Sequence, residues 1–418
     1  MDHVQPQPAQ RSLAHFAKAS RLIPWANQTG AKKPSILTDR YGASAPLYVA
    51  RARGAHFWDL DGNRFIDCRA ALGPIILGHC DPVVDAAVKE QIDRGVIYSM
   101  PSERELELAE LVVQAVPSAE MVRFFKTGGA ACNAAVRIAR ARTGREIVLS
   151  QGYHGWHDLF AAAEPASRRG VPAALQSLIH TFPYGGLDAA EHLMRQHGER
   201  VACIIVNAFA GGEPPPPGYL QGLRRLAHEQ GALLIFDEVK TGFRLALGGA
   251  QERFGVLPDL TVLAKSMANG YPMAAVAGRR DIMAVLDEAA SPGVMISNTL
   301  AGDLIGIAAA IATIRALKDT DAYARLHRSG ETLMRGLQSI LDRTGVEGAV
   351  LGEPAFFSMR IQGAHPRTGE RLLMAVCREM LRAGVFCLGD FLITVAHDEA
   401  VVAEILERAE KAFLRALA

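Results

Sequence analysis

Apolar residues recur along this chain in two rhythms. From Asp81 to about Leu317, the short apolar runs Val122 to Phe125, Ile147 to Leu149, Ala202 to Val206, Ala232 to Phe236 and Leu260 to Leu263 alternate with helical stretches. Runs that are apolar throughout suit strands covered on both faces, and helices between them imply a mainly parallel sheet. Gly144 closes a helix predicted over Ala130 to Arg142, and Gly231 closes another over Tyr219 to Gln230. The prolines Pro214 to Pro217 suit neither element and predict a rigid loop.

The flanks read differently. A helix over Ser12 to Leu22 stops before Pro24, and Trp25 to Lys33 forms a polar connector. His56 to Leu60 and Asn63 to Asp67 predict two strands joined at Asp61-Gly62 by a type I′ turn. Past Asp319 the pattern predicts helices, a strand over Phe356 to Ile361, a helix over Arg371 to Arg382, short strands near Val385 and Leu392, and a last helix over Glu399 to Leu417. The expected architecture is α/β: a large domain over 81–317, a smaller α+β domain over 318–418, and an N-terminal segment, 1–80, that joins the small domain. The stripe Ile305, Ala308, Ala309 and Ala312 reads as ordinary helix packing.

Composition narrows the function. A chain of 418 residues with 49% hydrophobic content can bury a large core and divide into two domains. Its 45 Lys plus Arg against 44 Asp plus Glu leave no basic surplus for nucleic acid or an anionic membrane, so small neutral or zwitterionic substrates are expected. Six scattered cysteines without CxxC spacing suggest free thiols in a reducing compartment. No secretory signal is expected at the start, and Leu304 to Ile314 is too short to span a bilayer. A cytoplasmic location follows.

Ligands of open parallel sheets bind at the carboxyl ends of strands, so the residues just past each apolar run carry the functional reading. Val122 to Phe125 leads to Thr127-Gly128-Gly129 and a helix, Ile147 to Leu149 leads to Gly152-Tyr153-His154-Gly155, Ala232 to Phe236 ends in Asp237, and Leu260 to Leu263 leads to Lys265. Taken singly, each has a plain structural reading: a turn, a packed aromatic, a helix-capping acid, a solvated lysine. Jointly they offer an amine for a Schiff base, a carboxylate for a ring nitrogen and a helix N-terminus for a phosphate, which are the three demands of pyridoxal 5'-phosphate. His154, His157 and Asp158 fit no zinc spacing, His79-Cys80 has no partner, and Gly248-Gly249 lacks a dinucleotide context, so no metal is expected.

The stretch from Leu234 to Arg244, with Leu263-Ala264-Lys265, Asn298-Thr299-Leu300-Ala301-Gly302, Trp58 to Asn63, Leu77-Gly78-His79, Tyr153-His154-Gly155 and Ala396-His397-Asp398, resembles the class III pyridoxal-phosphate aminotransferases, most of all the glutamate-1-semialdehyde aminomutase branch. The resemblance covers nearly the whole chain. It implies the fold-type I architecture and a homodimer with two active sites at the interface. It also implies that Lys265 carries the internal aldimine and moves the proton, Asp237 pairs with the ring nitrogen, Val239 packs behind the ring and Tyr153 stacks on its other face. Thr127, Gly128 and Gly129 hold the phosphate, and Thr299 reaches it from the neighbouring subunit.

Several positions depart from the family pattern. Thr127-Gly128-Gly129-Ala130 stands where Ser-Gly-Thr-Glu is usual, and Asn207-Ala208 where a Glu-Pro pair is common. Thr29 and Lys32 approximate the serine and arginine that bind the substrate carboxylate in the aminomutases, and a lysine lacks the bidentate fork of arginine. The segment between Tyr153 and the Ala202 strand is short for the aminomutase lid. The expected reaction is therefore ping-pong transfer of an amino group from a small-molecule donor to a carbonyl acceptor, in a specialised biosynthetic pathway with a sugar-like or natural-product ketone as acceptor. The alternatives are a 2,1-aminomutase or an amino-compound racemase on the same cofactor, and a cofactor-binding protein without turnover.

Overall fold

A computed structural model describes residues 9–33, 48–287, 289, 293–363 and 366–418. The chain divides into two units, one drawn from Met1–Asp81, Gly211–Glu213 and Asp321–Ala418, the other from Pro82–Ala210 and Pro214–Thr320.

In the first unit a helix spans Gln10–Leu22, and β1 (Val49–Arg53), β2 (His56–Asp59) and β3 (Arg64–Asp67) form an antiparallel ribbon. The turn between β2 and β3 is not the two-residue type I′ turn that Asp61-Gly62 suggests. Only Gly62 has positive φ there, at 90°. The loop from Leu60 to Asn63 wraps around Asp59, whose carboxylate accepts the amides of Asp61 at 2.9 Å and Asn63 at 2.8 Å and the Asn63 side chain at 2.8 Å. One acid satisfies three donors, and the hairpin widens to reach it.

The second unit is built on seven strands: β4 (Met121–Phe125), β5 (Ile147–Gln151), β6 (Ile179–Thr181), β7 (Val201–Val206), β8 (Leu233–Glu238), β9 (Leu260–Leu263) and β10 (Ala274–Gly278), in the order β4-β10-β9-β8-β7-β5-β6. The pairs from β9 through β6 are parallel, and β10 runs antiparallel to both β4 and β9. Every residue of β7 and β9 is buried, as expected for strands with helices on both faces.

The helix Gly128–Thr143 lies across the centre of this sheet. It buries Ala131, Cys132, Ala134, Ala135, Val136, Ile138 and Ala139, and the alanines let its backbone approach the strands closely. Full burial of a side chain such as Ile138 contributes about 1.5–3 kcal/mol. Gly144, at φ 68°, ends the helix in the left-handed conformation that glycine takes without strain. The helix begins at Gly128, two residues before the expected start, because Thr127 serves as N-cap and draws both glycines into the first turn.

The remaining strands return to the first unit. β11 (Gly348–Glu353), β12 (Phe356–Ile361) and β14 (Asp390–Leu392) make a three-stranded sheet, while β13 (Val385–Phe386) pairs in parallel with β3. The closing helix spans Glu399–Leu417. Among the described residues no helix is long and apolar enough to cross a membrane.

Candidate functional site

Because β10 is antiparallel to both β4 and β9, those two share a direction with β5, β7 and β8. The carboxyl ends of all five strands therefore fall on one side of the sheet. Thr127, His154, Asn207, Asp237 and Lys265 follow or end these strands.

At the end of β4, Thr127 caps the helix by accepting the Ala130 amide on Oγ1 at 3.3 Å. The amides of Gly128 and Gly129 have no acceptor within the helix and face the positive end of its dipole outward. A Cβ at Gly128 would fall 2.7 Å and 2.9 Å from the two methyls of Val239, so the turn and Val239 are in direct contact only because residue 128 has no side chain.

At the end of β8, Asp237 is buried and both of its oxygens are engaged. His154 Nδ1 lies 2.6 Å from Oδ2, with the two side chains 0% and 3% exposed, and the Val239 amide donates to Oδ1 at 3.0 Å. Burial by itself raises the carboxyl pKa, but the His154 hydrogen bond and charge, the Val239 amide and the charge of Lys265 together bring it below the ordinary carboxylate value. A buried acid is thus kept ionised. Between the strands that carry this pair stands β7, and Asn207 at its end donates from Nδ2 to the Asp237 carbonyl at 3.4 Å.

Cys132, His154 and Asp237 bring their ligand atoms within 4.8 Å of one another. Burial and then the Asp237 carboxylate push the Cys132 thiol pKa well up, so the free sulfur is a protonated neighbour of the acid. The adjacent Glu238 is a different kind of acid. Its carboxylate is wholly buried and accepts Thr241 Oγ1 at 2.9 Å, the Ala250 amide, and the amide and side chain of Gln251, each at 3.1 Å. It caps the short helix Gly249–Phe254.

Lys265 follows β9 with φ at 47°. A left-handed backbone at a lysine costs about 1–3 kcal/mol and persists only where the surroundings enforce it, as they do at functional sites. Its charge is felt by both Asp237 and Cys132.

The structure thus brings Thr127, Gly128, Gly129, Val239, Asp237, Asn207 and Lys265 to one edge of one sheet. Tyr153 follows the same edge and is 76% exposed, so it is not packed in the core. Thr299 is exposed at the start of the turn Thr299–Gly302 and lines a cavity of about 220 Å³ with Ile97, Tyr98, Met100 and Leu304. Thr29 and Lys32 belong to the other unit, where Thr29 donates its amide to Asn27 Oδ1 at 2.7 Å and Lys32 is exposed. His154 as the partner of Asp237 was not foreseen from the sequence, where its only visible role was as a poor metal ligand. Its signal was its place at a strand end.

These residues fit pyridoxal phosphate. Glycine amides at a helix N-terminus suit the phosphate, an ionised buried carboxylate suits a protonated ring nitrogen, and a lysine nearby suits the aldehyde. Known proteins agree with this chemistry. The family model for aminotransferase class-III matches residues 38–413. A glutamate-1-semialdehyde 2,1-aminomutase from Roseiflexus castenholzii is 38% identical over 96% of this chain and 96% of its own length. An omega-transaminase from Sphaerobacter thermophilus, 28% identical, superposes with a TM-score of 0.89 over 99% of this chain and 100% of that one. The FumI protein of Sphingopyxis sp. MTA144, solved with PLP, is 27% identical with a TM-score of 0.88 over 98% and 97%. A match across almost the whole length, joined to an edge that supplies an amine, an acid and an anion cradle, makes this chain an enzyme of the pyridoxal-phosphate-dependent class-III aminotransferase family.

Proposed function

We propose that the enzyme is a ping-pong aminotransferase that carries an amino group from a small-molecule donor to a carbonyl acceptor, working as a cytoplasmic homodimer. Bound pyridoxal phosphate supplies the aldehyde and an electron-withdrawing ring. The chain supplies the rest. Lys265 would hold the cofactor aldehyde through Nζ, and its free amine would carry the proton from the donor's α-carbon to the cofactor and, in reverse, from the cofactor to the acceptor-derived carbon. Asp237, ionised through His154, keeps a proton on the ring nitrogen. The amides of Gly128 and Gly129 and the Thr127 hydroxyl bind the phosphate, with Thr299 of the second copy joining them. Val239 packs on one face of the ring and Tyr153 on the other. Thr29, Lys32 and Asn207 meet the substrate.

The observation that carries this reading is the buried His154–Asp237 pair at 2.6 Å, an ionised acid with no surface role. Transamination is preferred over mutation because Lys32 offers a single ammonium where a guanidinium would grip a carboxylate in two places. A looser grip suits an enzyme that releases its first product before the second substrate enters. A specialised ketone acceptor fits the neutral Asn207 beside the acid.

The second reading, 2,1-aminomutase, has the 38% identity to the Roseiflexus protein in its favour. The two separate in one experiment. A panel of amines and carbonyl compounds is offered to the loaded enzyme while cofactor absorbance and products are followed. Transamination consumes a second carbonyl substrate. Rearrangement of glutamate-1-semialdehyde in its absence, with no turnover of any donor and acceptor pair, would replace the first reading by the second.

A further inference from the structure

The phosphate cradle is short of polar side chains. Its first helical turn reads Gly128-Gly129-Ala130-Ala131, without an acid, a base or a hydroxyl. The Thr127 hydroxyl accepts the Ala130 amide and keeps one O–H to donate, and Lys126, the cation next in sequence, is committed to Asp303 at 2.6 Å. A phosphate monoester carries about two negative charges at neutral pH, more than a helix N-terminus of about half a charge compensates.

One ring stands against this turn. A Cβ at Gly129 would fall 3.1 Å from His157 Cε1 and 3.2 Å from His157 Nδ1, so the Cε1–Nδ1 edge of the imidazole faces the second cradle residue. That Nδ1 is closed off from solvent and hydrogen-bonds to no atom of the described residues. Buried polar atoms are satisfied in the great majority of cases, so an orphan of this kind calls for a partner. The ring is not loose. Trp156 stacks on it with centres 4.9 Å apart and planes at 18°, and the His157 carbonyl accepts the amides of Phe160 and Ala161, each at 2.9 Å. Behind it, a Cβ at Gly155 would fall 2.8 Å from the Gly129 Cα, which brings the two backbones into contact.

A purely local role would leave a different trace. His157 occupies the N-cap position of the helix Asp158–Ala163, where a Ser, Thr, Asp or Asn side chain would turn inward to accept an amide of the first turn. It makes no such bond, and its polar edge is given to the neighbouring loop instead.

We infer that His157 is a ligand of the cofactor's phosphate, donating from Nδ1 beside the Gly128 and Gly129 amides. It supplies a side-chain donor beyond the Thr127 and Thr299 hydroxyls and makes the site select the phosphorylated form of the vitamin over the free aldehyde. This assignment rests on the cofactor reading of the site and adds to it a residue on a neighbouring loop.

The test compares pyridoxal 5'-phosphate with pyridoxal, which keeps the aldehyde and ring nitrogen but has no phosphate, as ligands of the cofactor-free protein. Dissociation constants are read from the absorbance of bound ligand. In His157→Leu, affinity for the phosphorylated ligand falls about tenfold or more while affinity for pyridoxal stays within about twofold, the loss expected of one charge-assisted hydrogen bond. His157→Asn, whose amide nitrogen falls near Nδ1, restores most of the difference, and His157→Gln, whose amide reaches the Nε2 position, does not. Equal losses for both ligands would reduce His157 to a packing residue, and unchanged affinity in the leucine variant would remove it from the site. If His157→Leu does not fold by circular dichroism, the asparagine and glutamine variants decide, and equal affinities in those two overturn the assignment. A wild-type protein that takes up neither ligand overturns the cofactor reading itself, an outcome distinct from all of these.

Discussion

Replacing His154 by leucine removes the partner of Asp237 and leaves most of the space filled. The pair is sealed, at 0% and 3% exposure, so water cannot enter to replace the lost hydrogen bond. A hydrogen bond to a charged group is worth about 1.5–3 kcal/mol net, and stripping one member from a buried pair costs about 3–5 kcal/mol because the other is left behind. The Val239 amide at 3.0 Å stays, so the lower range applies. Burial then dominates the Asp237 carboxyl and moves its pKa up, the direction it takes when the His154 contribution is deleted. The acid is protonated over more of the pH range and loses its hold on a positive ring nitrogen. Cofactor affinity should fall about tenfold to a hundredfold, the equivalent of that energy, and the acid limb of the rate profile should move to higher pH. Equilibrium dialysis with pyridoxal phosphate and rates measured across pH read both. His154→Asn, whose amide can still donate to Oδ2, should recover much of the affinity. A leucine variant that binds the cofactor as tightly as wild type, with its acid limb unmoved, would refute the claim that this pair keeps the site charged.

Two further outcomes follow from other parts of the molecule. Lys265→Ala should abolish turnover while leaving the circular dichroism spectrum unaltered, and borohydride should no longer fix the cofactor to the protein; turnover at the wild-type rate removes Lys265 from its role. His397 is wholly buried in the first unit, with burial pushing its pKa from 6.5 down to about 4. Between those values the unfolded chain takes up a proton that the folded chain refuses, so stability falls as pH drops through that window, by up to about 3 kcal/mol. Urea unfolding at about pH 7 and about pH 4.5 should show a larger acid loss in wild type than in His397→Gln, and equal losses would mean that His397 titrates normally.

Much of the large sheet was legible because its strands are apolar on both faces. Val201–Val206 and Leu260–Leu263 can be strands of a covered sheet and little else, and their ends point to Asn207 and Lys265. β10 was not legible. Its sequence, Ala274-Ala275-Val276-Ala277-Gly278, has little strand preference, and it is a strand because β4 and β9 flank it on both sides. β6 is three residues long and β11 carries two glycines, so both escape pattern reading. The His154–Asp237 contact joins residues 83 apart across an intervening strand, and strand order is fixed by packing that no local pattern encodes. The resemblance to a family gave roles to Lys265 and Asp237, whereas the ring of His157 beside Gly129 became visible only in three dimensions.

Neighbouring carboxylates on one strand look interchangeable in a sequence, yet alternation sends them to opposite faces. Asp237 reaches His154, while Glu238 is spent on the first amides of the helix Gly249–Phe254, where even a methyl on Gly249 would collide with it at 2.2 Å. A screen that scores only product would rank damage at the two alike. Soluble yield would tell them apart, since one loss empties a working site and the other takes the strut out from beneath it.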